Sequence, residues 1–141
     1  MSSYKISIEN IGTDVTVEKK RIKDLAKTVL NEEGVSQAET NIILVDDKYI
    51  TRLNQEFLNI NTTTDVISFN LEDEPGNLLE GEIYANIEQI KRQADYYQVT
   101  FIEELYRVLI HGLLHLVGFN DHTVEEKKIM KEKENHYLNV M

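Results

Sequence analysis

Three of the four histidines in this chain lie within twelve residues, in a segment that is otherwise largely apolar. His111 and His115 are four residues apart, so on a helix both imidazoles project from one face, about a turn apart. Gly118 can adopt the left-handed conformation that reverses the chain, and the reversal lets a ligand such as His122 from the following loop return over the first two. The spacing predicts a metal site with three protein ligands and an open position for water, as in catalytic zinc enzymes.

The segment around His111 and His115, residues 101–117, is predicted to be a helix that is apolar almost all round. A helical wheel places Glu104 and Val108 on the side of the two histidines, while leucines line the neighbouring side. Helices of this kind lie in the middle of a domain, so polar groups on them need partners in the interior or at the floor of a cleft. We therefore expect the two histidines at the base of a cleft.

The remaining pattern mixes strands and helices without strict alternation. Alternating or β-branched apolar runs predict strands near residues 4–8, 41–45, 65–69 and 81–87, and helical periodicity predicts helices near 22–30, 47–57, 88–97 and 124–138. Thr123 and Glu126 have capping-box spacing, which starts the last helix just after His122. The chain is predicted to be one α+β domain over residues 1–141, with a small, mostly mixed sheet of about four strands packed with about five helices.

Composition limits the chemistry of the site. The 141-residue chain has no cysteine, so zinc can be held only by histidine or carboxylate groups. The formal net charge of −10 argues against nonspecific coating of nucleic acid, which requires many lysines and arginines. The N-terminal residues lack the pattern of a secretory signal, and no apolar stretch is long enough for a membrane span. We expect a cytoplasmic protein without a membrane partner.

Several motifs together resemble those of one family, the bacterial YbeY endoribonucleases. They extend over most of the chain: Leu53-Asn54, Thr64-Asp65-Val66-Ile67-Ser68-Phe69, Gly81-Glu82-Ile83, Glu104-Leu105 and His111-Gly112-Leu113-Leu114-His115-Leu116-Val117-Gly118. The resemblance implies a metal-dependent hydrolase that cleaves single-stranded RNA in ribosomal RNA maturation and ribosome quality control.

The resemblance also implies the cofactor and the partners. One Zn²⁺ would be held by His111, His115 and His122, although nickel, copper or cobalt also accept imidazole ligands. The partners would be ribosomal RNA and the ribosome or ribosome-associated proteins. The oligomeric state is not indicated.

The sequence departs from the family pattern at two positions. The register of the motif places Asp121 where the third histidine is expected, with His122 just beyond it; either side chain can bind zinc, and we favour His122 because neutral nitrogen suits the site. Leu58 stands where the family has an arginine implicated in activity, and leucine cannot bind phosphate. Arg52 or Arg107 could supply that charge, although a surface ion pair is an equally good interpretation of Arg107.

Several further residues are candidates for the chemistry. Glu104 and Asp121, or a hydroxide on the metal, could transfer protons, and Arg107 could reach the cleft. Asp65 could orient a ligand histidine or merely cap the end of a strand, and His136 is expected to be exposed on the last helix.

Two other functions remain open. One is a noncatalytic zinc-containing ribosome-biogenesis factor, in which the metal holds the fold; Leu58 in place of the family's arginine keeps this interpretation open. A metallopeptidase is the third interpretation, and Gly112 argues against it because such enzymes carry a glutamate directly after the first histidine.

Overall fold

The computed structural model describes residues 2–59, 62–71 and 78–140. Its sheet consists of the strands β1 (Ser3–Asn10), β2 (Gln37–Val45), β3 (Val66–Asn70) and β4 (Leu78–Asn86). The spatial order is β1-β2-β4-β3; β1, β2 and β4 run parallel to one another, and β3 pairs antiparallel with β4. The sheet is therefore mixed, as predicted.

The described residues also form five helices, which together with the sheet confirm the predicted α+β class. They are α1 (Lys19–Glu32), α2 (Asp47–Phe57), α3 (Ile87–Tyr97), α4 (Phe101–Leu116) and α5 (Val124–Asn139). None of them combines the length and the apolar character that crossing a bilayer requires.

Successive residues of β2 show how the sheet separates two cores. Ile42 and Leu44 belong to the larger core beneath α1, α3, α4 and α5, whereas Ile43 and Val45 belong to a smaller core with α2. Alternate side chains of a strand point to opposite faces, so α2 covers one face of the sheet and the other helices cover the opposite one. The strand extends further than predicted because its N-terminal half, which is polar at alternate positions, pairs with both β1 and β4.

Helix α4 packs closely against the sheet at Gly112. A Cβ atom at this position would lie 3.0 Å from a methyl group of Ile83, and the Ser68 hydroxyl donates a hydrogen bond of 2.9 Å to the Gly112 carbonyl. A side chain at this position would crowd its neighbours, so glycine allows the helix and the sheet to pack closely. The histidines on either side of Gly112 along the helix, His111 and His115, keep 26% and 28% of their side chains exposed. The position after the first histidine faces the sheet, where a glutamate side chain would have to displace its neighbours.

Candidate metal centre

Three potential ligand atoms converge where α4 meets the loop that follows it. The Nε2 atoms of His111 and His115 are 2.9 Å apart, and Asp121 Oδ2 lies 3.3 Å from the first and 3.6 Å from the second. Among the described residues, these three side chains form the group that could hold a metal ion. The predicted position of a metal site on a buried helix and its following loop is thus confirmed at the level of a candidate His-His-Asp group.

The local sequence explains this convergence. Helix α4 ends at Leu116, and Gly118 takes a φ of 109°, which turns the chain back toward the helix. The Thr123 hydroxyl accepts a hydrogen bond from the Glu126 N–H, and the Glu126 carboxylate accepts one from the Thr123 N–H. This predicted capping box is present and begins α5. The short loop between the two fixed helix ends carries Asp121 to the histidines.

The hydrogen bonds of the Nδ1 atoms of the two histidines determine what their Nε2 atoms, which face Asp121, can do. Nδ1 of His115 lies 2.9 Å from the carbonyl oxygen of Phe119, and Nδ1 of His111 lies 2.7 Å from the Glu134 carboxylate. A carbonyl or carboxylate oxygen accepts, so each Nδ1 donates its proton, and the tautomer that binds a metal then turns an Nε2 lone pair inward. Two lone pairs and a carboxylate oxygen facing one another form a set of acceptors that fits a divalent cation.

His122 does not join this group. Its side chain is exposed, and its backbone N–H donates a hydrogen bond of 3.2 Å to the Glu126 carboxylate, as part of the start of α5. Because His122 lies next to the helix cap, the loop presents the preceding residue, Asp121, to the two histidines instead. The structure therefore brings together His111, His115 and Asp121, whereas the sequence analysis favoured His122 as the third ligand.

A cleft of about 670 Å³ lies beside the histidines and is bounded by α3, α4 and α5. His111 and Asp121 lie at its wall, Arg107 and two lysines of α5 contribute positive charge, and Tyr97 contributes an aromatic ring that is 60% exposed. The two lysines are Lys127 and Lys131, neither of which forms an ion pair within the described part of the chain. The cleft thus combines cations with a candidate metal site in a chain of net charge −10.

Glu104 lies in the floor of the cleft and is 3% exposed. Burial raises its pKa above the ordinary value, although a hydrogen bond from Gln93 and the charge of Arg107 oppose the rise. The Gln93 amide donates to Glu104 over 2.9 Å and to Asp65 over 3.3 Å, so it joins two carboxylates of the cleft. Asp65 therefore interacts with Gln93 here, whereas Glu134 accepts the hydrogen bond of a ligand histidine.

The arginines considered in the sequence analysis lie in different places. Arg107 lines the cleft, its guanidinium is 3.6 Å from Glu134, and it donates a hydrogen bond of 3.1 Å to Asn135, so it both reaches the cleft and pairs with a glutamate. Arg52 is exposed on α2, against the opposite face of the sheet, and Leu58 follows that helix with 47% of its surface exposed. Neither of them lines the cleft.

The remaining histidine, His136, is exposed, and its Nε2 lies 3.0 Å from the Glu32 carboxylate. Its position on the last helix agrees with the expectation from the sequence.

Sequence reasoning missed Glu134 and Gln93. Glu134 is 8% exposed and lies on α5 between the buried residues Met130 and Tyr137, at spacings of four and three. A carboxylate on the apolar stripe of an otherwise polar helix was the available signal, because a buried charge needs a partner. No comparable signal existed for Gln93, whose role depends on how α3 packs beside α4.

Comparison with known proteins agrees with this architecture. A family model described as Endoribonuclease YbeY matches residues 7–141. A curated relative of that name from Amoebophilus asiaticus is 40% identical over 119 residues, which cover 84% of this chain and 80% of the relative. Another from Petrotoga mobilis is 40% identical over 137 residues, covering 95% of this chain and 93% of the relative.

A solved structure shares the fold as well. The solution structure of a Thermotoga maritima protein superposes with a TM-score of 0.67 at 31% sequence identity, and the match covers 95% of this chain and 87% of the other. The matches confirm the resemblance identified from the motifs and, with it, the prediction of an enzyme of the nuclease class.

Proposed function

The chain belongs to the YbeY endoribonuclease family, and we propose that it is a single-domain, zinc-dependent endoribonuclease over residues 1–141 that cleaves single-stranded RNA. The observation that carries the proposal is the convergence of His111 Nε2, His115 Nε2 and Asp121 Oδ2 at the wall of a cleft that carries both cations and carboxylates. We assign the metal to these three side chains, with Asp121 in place of His122. Zinc accepts two histidines and a carboxylate with a position left for water.

A Zn²⁺ ion at this position would supply a Lewis acid and a water molecule of lowered pKa. Arg107 would place a positive charge beside the phosphodiester, where negative charge increases during cleavage. Glu104 would carry a proton in the reaction, because burial moves its pKa toward neutral pH. Asp121, considered above for proton transfer, is instead assigned to the metal, and Leu58 contributes no charge.

The dimensions of the cleft support a single-stranded substrate. A volume of about 670 Å³ suits a ligand of small-molecule size, and we expect it to receive one or two nucleotides. The exposed ring of Tyr97 offers a surface on which an unpaired base can stack, and Lys127 and Lys131 offer charge to the phosphates. A duplex has its bases already stacked and would not enter.

The family resemblance supports a role in ribosomal RNA maturation and ribosome quality control, with the ribosome or its associated proteins as partners. That substrate would place the protein in the cytoplasm.

The test is an RNA-cleavage assay of the purified protein on a structured ribosomal RNA fragment, a matched duplex and a single-stranded DNA. We expect cleavage in the unpaired segments of the RNA, loss of cleavage with a chelator or with His115→Ala, and recovery when Zn²⁺ is returned to the chelated wild type. Parallel additions of nickel, copper and cobalt identify which ion restores the activity. Equal cleavage by wild type and His115→Ala would contradict the proposal.

Two further measurements, of folding after chelation and of peptide hydrolysis, separate the two alternatives. A noncatalytic biogenesis factor predicts that chelation unfolds the protein while no ion supports RNA turnover. A metallopeptidase predicts hydrolysis of peptides and inhibition by hydroxamates; Gly112, which packs closely against the sheet where such enzymes carry a glutamate, argues against this function.

A further inference from the structure

Each ligand histidine is supported from behind by an oxygen, but the two oxygens differ in charge. His115 donates to the neutral carbonyl of Phe119, which belongs to the loop following its own helix. His111 donates to the carboxylate of Glu134, which belongs to α5. A carboxylate acceptor strengthens the hydrogen bond and makes the imidazole a better donor to a metal. The two histidines are therefore expected to contribute unequally to the affinity for the metal.

Glu134 is held in place from both sides. One carboxylate oxygen is 2.7 Å from His111 Nδ1 and the other is 3.6 Å from the Arg107 guanidinium, while the side chain keeps 11% of its surface exposed. His111 is therefore the closer of the two partners of Glu134. The Arg107 guanidinium lies closer to Asn135, at 3.1 Å, than to Glu134.

The helix that carries Glu134 is itself anchored on α1. The Lys133 ammonium lies 2.8 Å from Glu33, just after α1, and the Tyr137 hydroxyl donates a hydrogen bond to the same carboxylate. These contacts flank Glu134 on α5 and fix the helix against α1. Glu134 is thus preorganised toward His111 by the packing of α5.

We propose that Glu134 is a positioning residue for the metal centre: its carboxylate fixes the Nδ1–H tautomer and the ring orientation of His111, so that Nε2 faces Asp121 and His115. This inference rests on the proposed metal site. Glu134 does not contact the ion or the RNA but acts through His111. Partners of this kind change metal affinity by about 10- to 100-fold when they are removed.

The experiment measures metal affinity, which is independent of RNA cleavage. Wild type, Glu134→Ala, Glu134→Gln and the control Glu132→Gln are freed of metal and then titrated with Zn²⁺ against a chromophoric chelator. Glu132 is an exposed residue of the same helix. We expect Glu134→Ala to bind Zn²⁺ about 10- to 100-fold more weakly, Glu134→Gln to be intermediate because its amide oxygen still accepts the proton without a charge, and Glu132→Gln to match wild type.

Two further readouts distinguish positioning from a purely structural role. The absorption spectrum of bound Co²⁺ should change in Glu134→Gln, and the rise in Tm that Zn²⁺ produces should shrink in both Glu134 variants, because weaker binding stabilises the folded state less. The isosteric Glu134→Gln variant keeps the test available if Glu134→Ala does not fold.

Unchanged Zn²⁺ affinity and an unchanged Co²⁺ spectrum in Glu134→Gln, together with unchanged affinity in every folded Glu134 variant, would overturn the inference alone. Failure of wild type to take up either ion would overturn both the inference and the proposed metal site.

Discussion

Two polar clusters of this molecule follow opposite rules of arrangement. At the end of α4, two imidazole Nε2 atoms and a carboxylate oxygen point at one another, and the Nδ1 atoms of the two rings face away toward other oxygens. Between α2 and α3, the Asp47 carboxylate meets the Arg92 guanidinium at 2.9 and 2.7 Å and accepts a further hydrogen bond of 2.7 Å from Asn86. The first cluster brings acceptors together, whereas the second pairs every acceptor with a donor.

The difference separates a ligand site from a structural network. Acceptors that converge without a donor repel one another unless a cation lies between them, so their arrangement must be maintained by the surrounding fold. Donors and acceptors that match one another stabilise the fold directly and leave nothing for a ligand to satisfy. Substitutions in the first cluster should therefore change metal binding, and substitutions in the second should change stability.

The largest expected effect is on metal binding in Asp121→Ala. Removal of a direct ligand should weaken Zn²⁺ binding by more than about 100-fold, beyond the effect of losing a supporting partner. The neighbouring substitution His122→Ala is the matched control and should leave the affinity unchanged, since His122 is exposed and outside the group. Chelator competition on the two metal-free variants measures both values. A weaker affinity in His122→Ala with normal binding by Asp121→Ala would reverse the assignment of the third ligand.

The next effect is on stability in Asn86→Ala. The Asn86 amide is fully buried, donates to Asp47, Thr63 and the Thr64 carbonyl, and its oxygen accepts from two N–H groups at the start of α3. Loss of the helix cap and of these partners should lower the free energy of unfolding by about 2 to 3 kcal/mol. Urea denaturation measures the change.

The exposed asparagine Asn139, substituted in the same way, controls for composition. Zn²⁺ affinity should stay at the wild-type value in Asn86→Ala, because the contacts of Asn86 are made with α2, α3 and the 62–65 loop. A marked loss of affinity would show that the two clusters are coupled and would break the comparison.

The sequence is informative where the chemistry is local and less so where it depends on packing. His111 and His115 could be predicted because one helix fixes their separation. The choice between Asp121 and His122 could not, since the two adjacent residues both carry ligand atoms and the backbone of the loop decides which one turns inward. The capping box at Thr123, itself predicted from the sequence, commits His122 to the start of α5 and so presents Asp121.

The order of strands and helices followed from periodicity, and the α+β class followed from that order. The support of His111 by Glu134 did not, because it depends on how α5 lies across α4. Long-range contacts of this kind need the tertiary structure.

The smallest expected effect is the acid dependence that Asp47 contributes. The hydrogen bond from Arg92 lowers the pKa of Asp47 below its ordinary value of 3.8, against the opposing effect of burial and with help from Asn86. As the pH is lowered, the unfolded chain therefore binds a proton at this residue before the folded chain does. The contribution of Asp47 to the free energy of unfolding is complete above pH 3.8 and is lost as the pH falls through the lower pKa of the folded chain. Because the Arg92 and Asp47 side chains are 52% and 34% exposed, solvent screening should hold the contribution below about 1 kcal/mol.

Urea denaturation of wild type and Asp47→Asn at pH 6 and in the acid range should show a stability difference that narrows as the pH falls. A difference that is constant with pH would mean that the Asp47 charge contributes nothing and that this network stabilises the fold through its neutral hydrogen bonds alone.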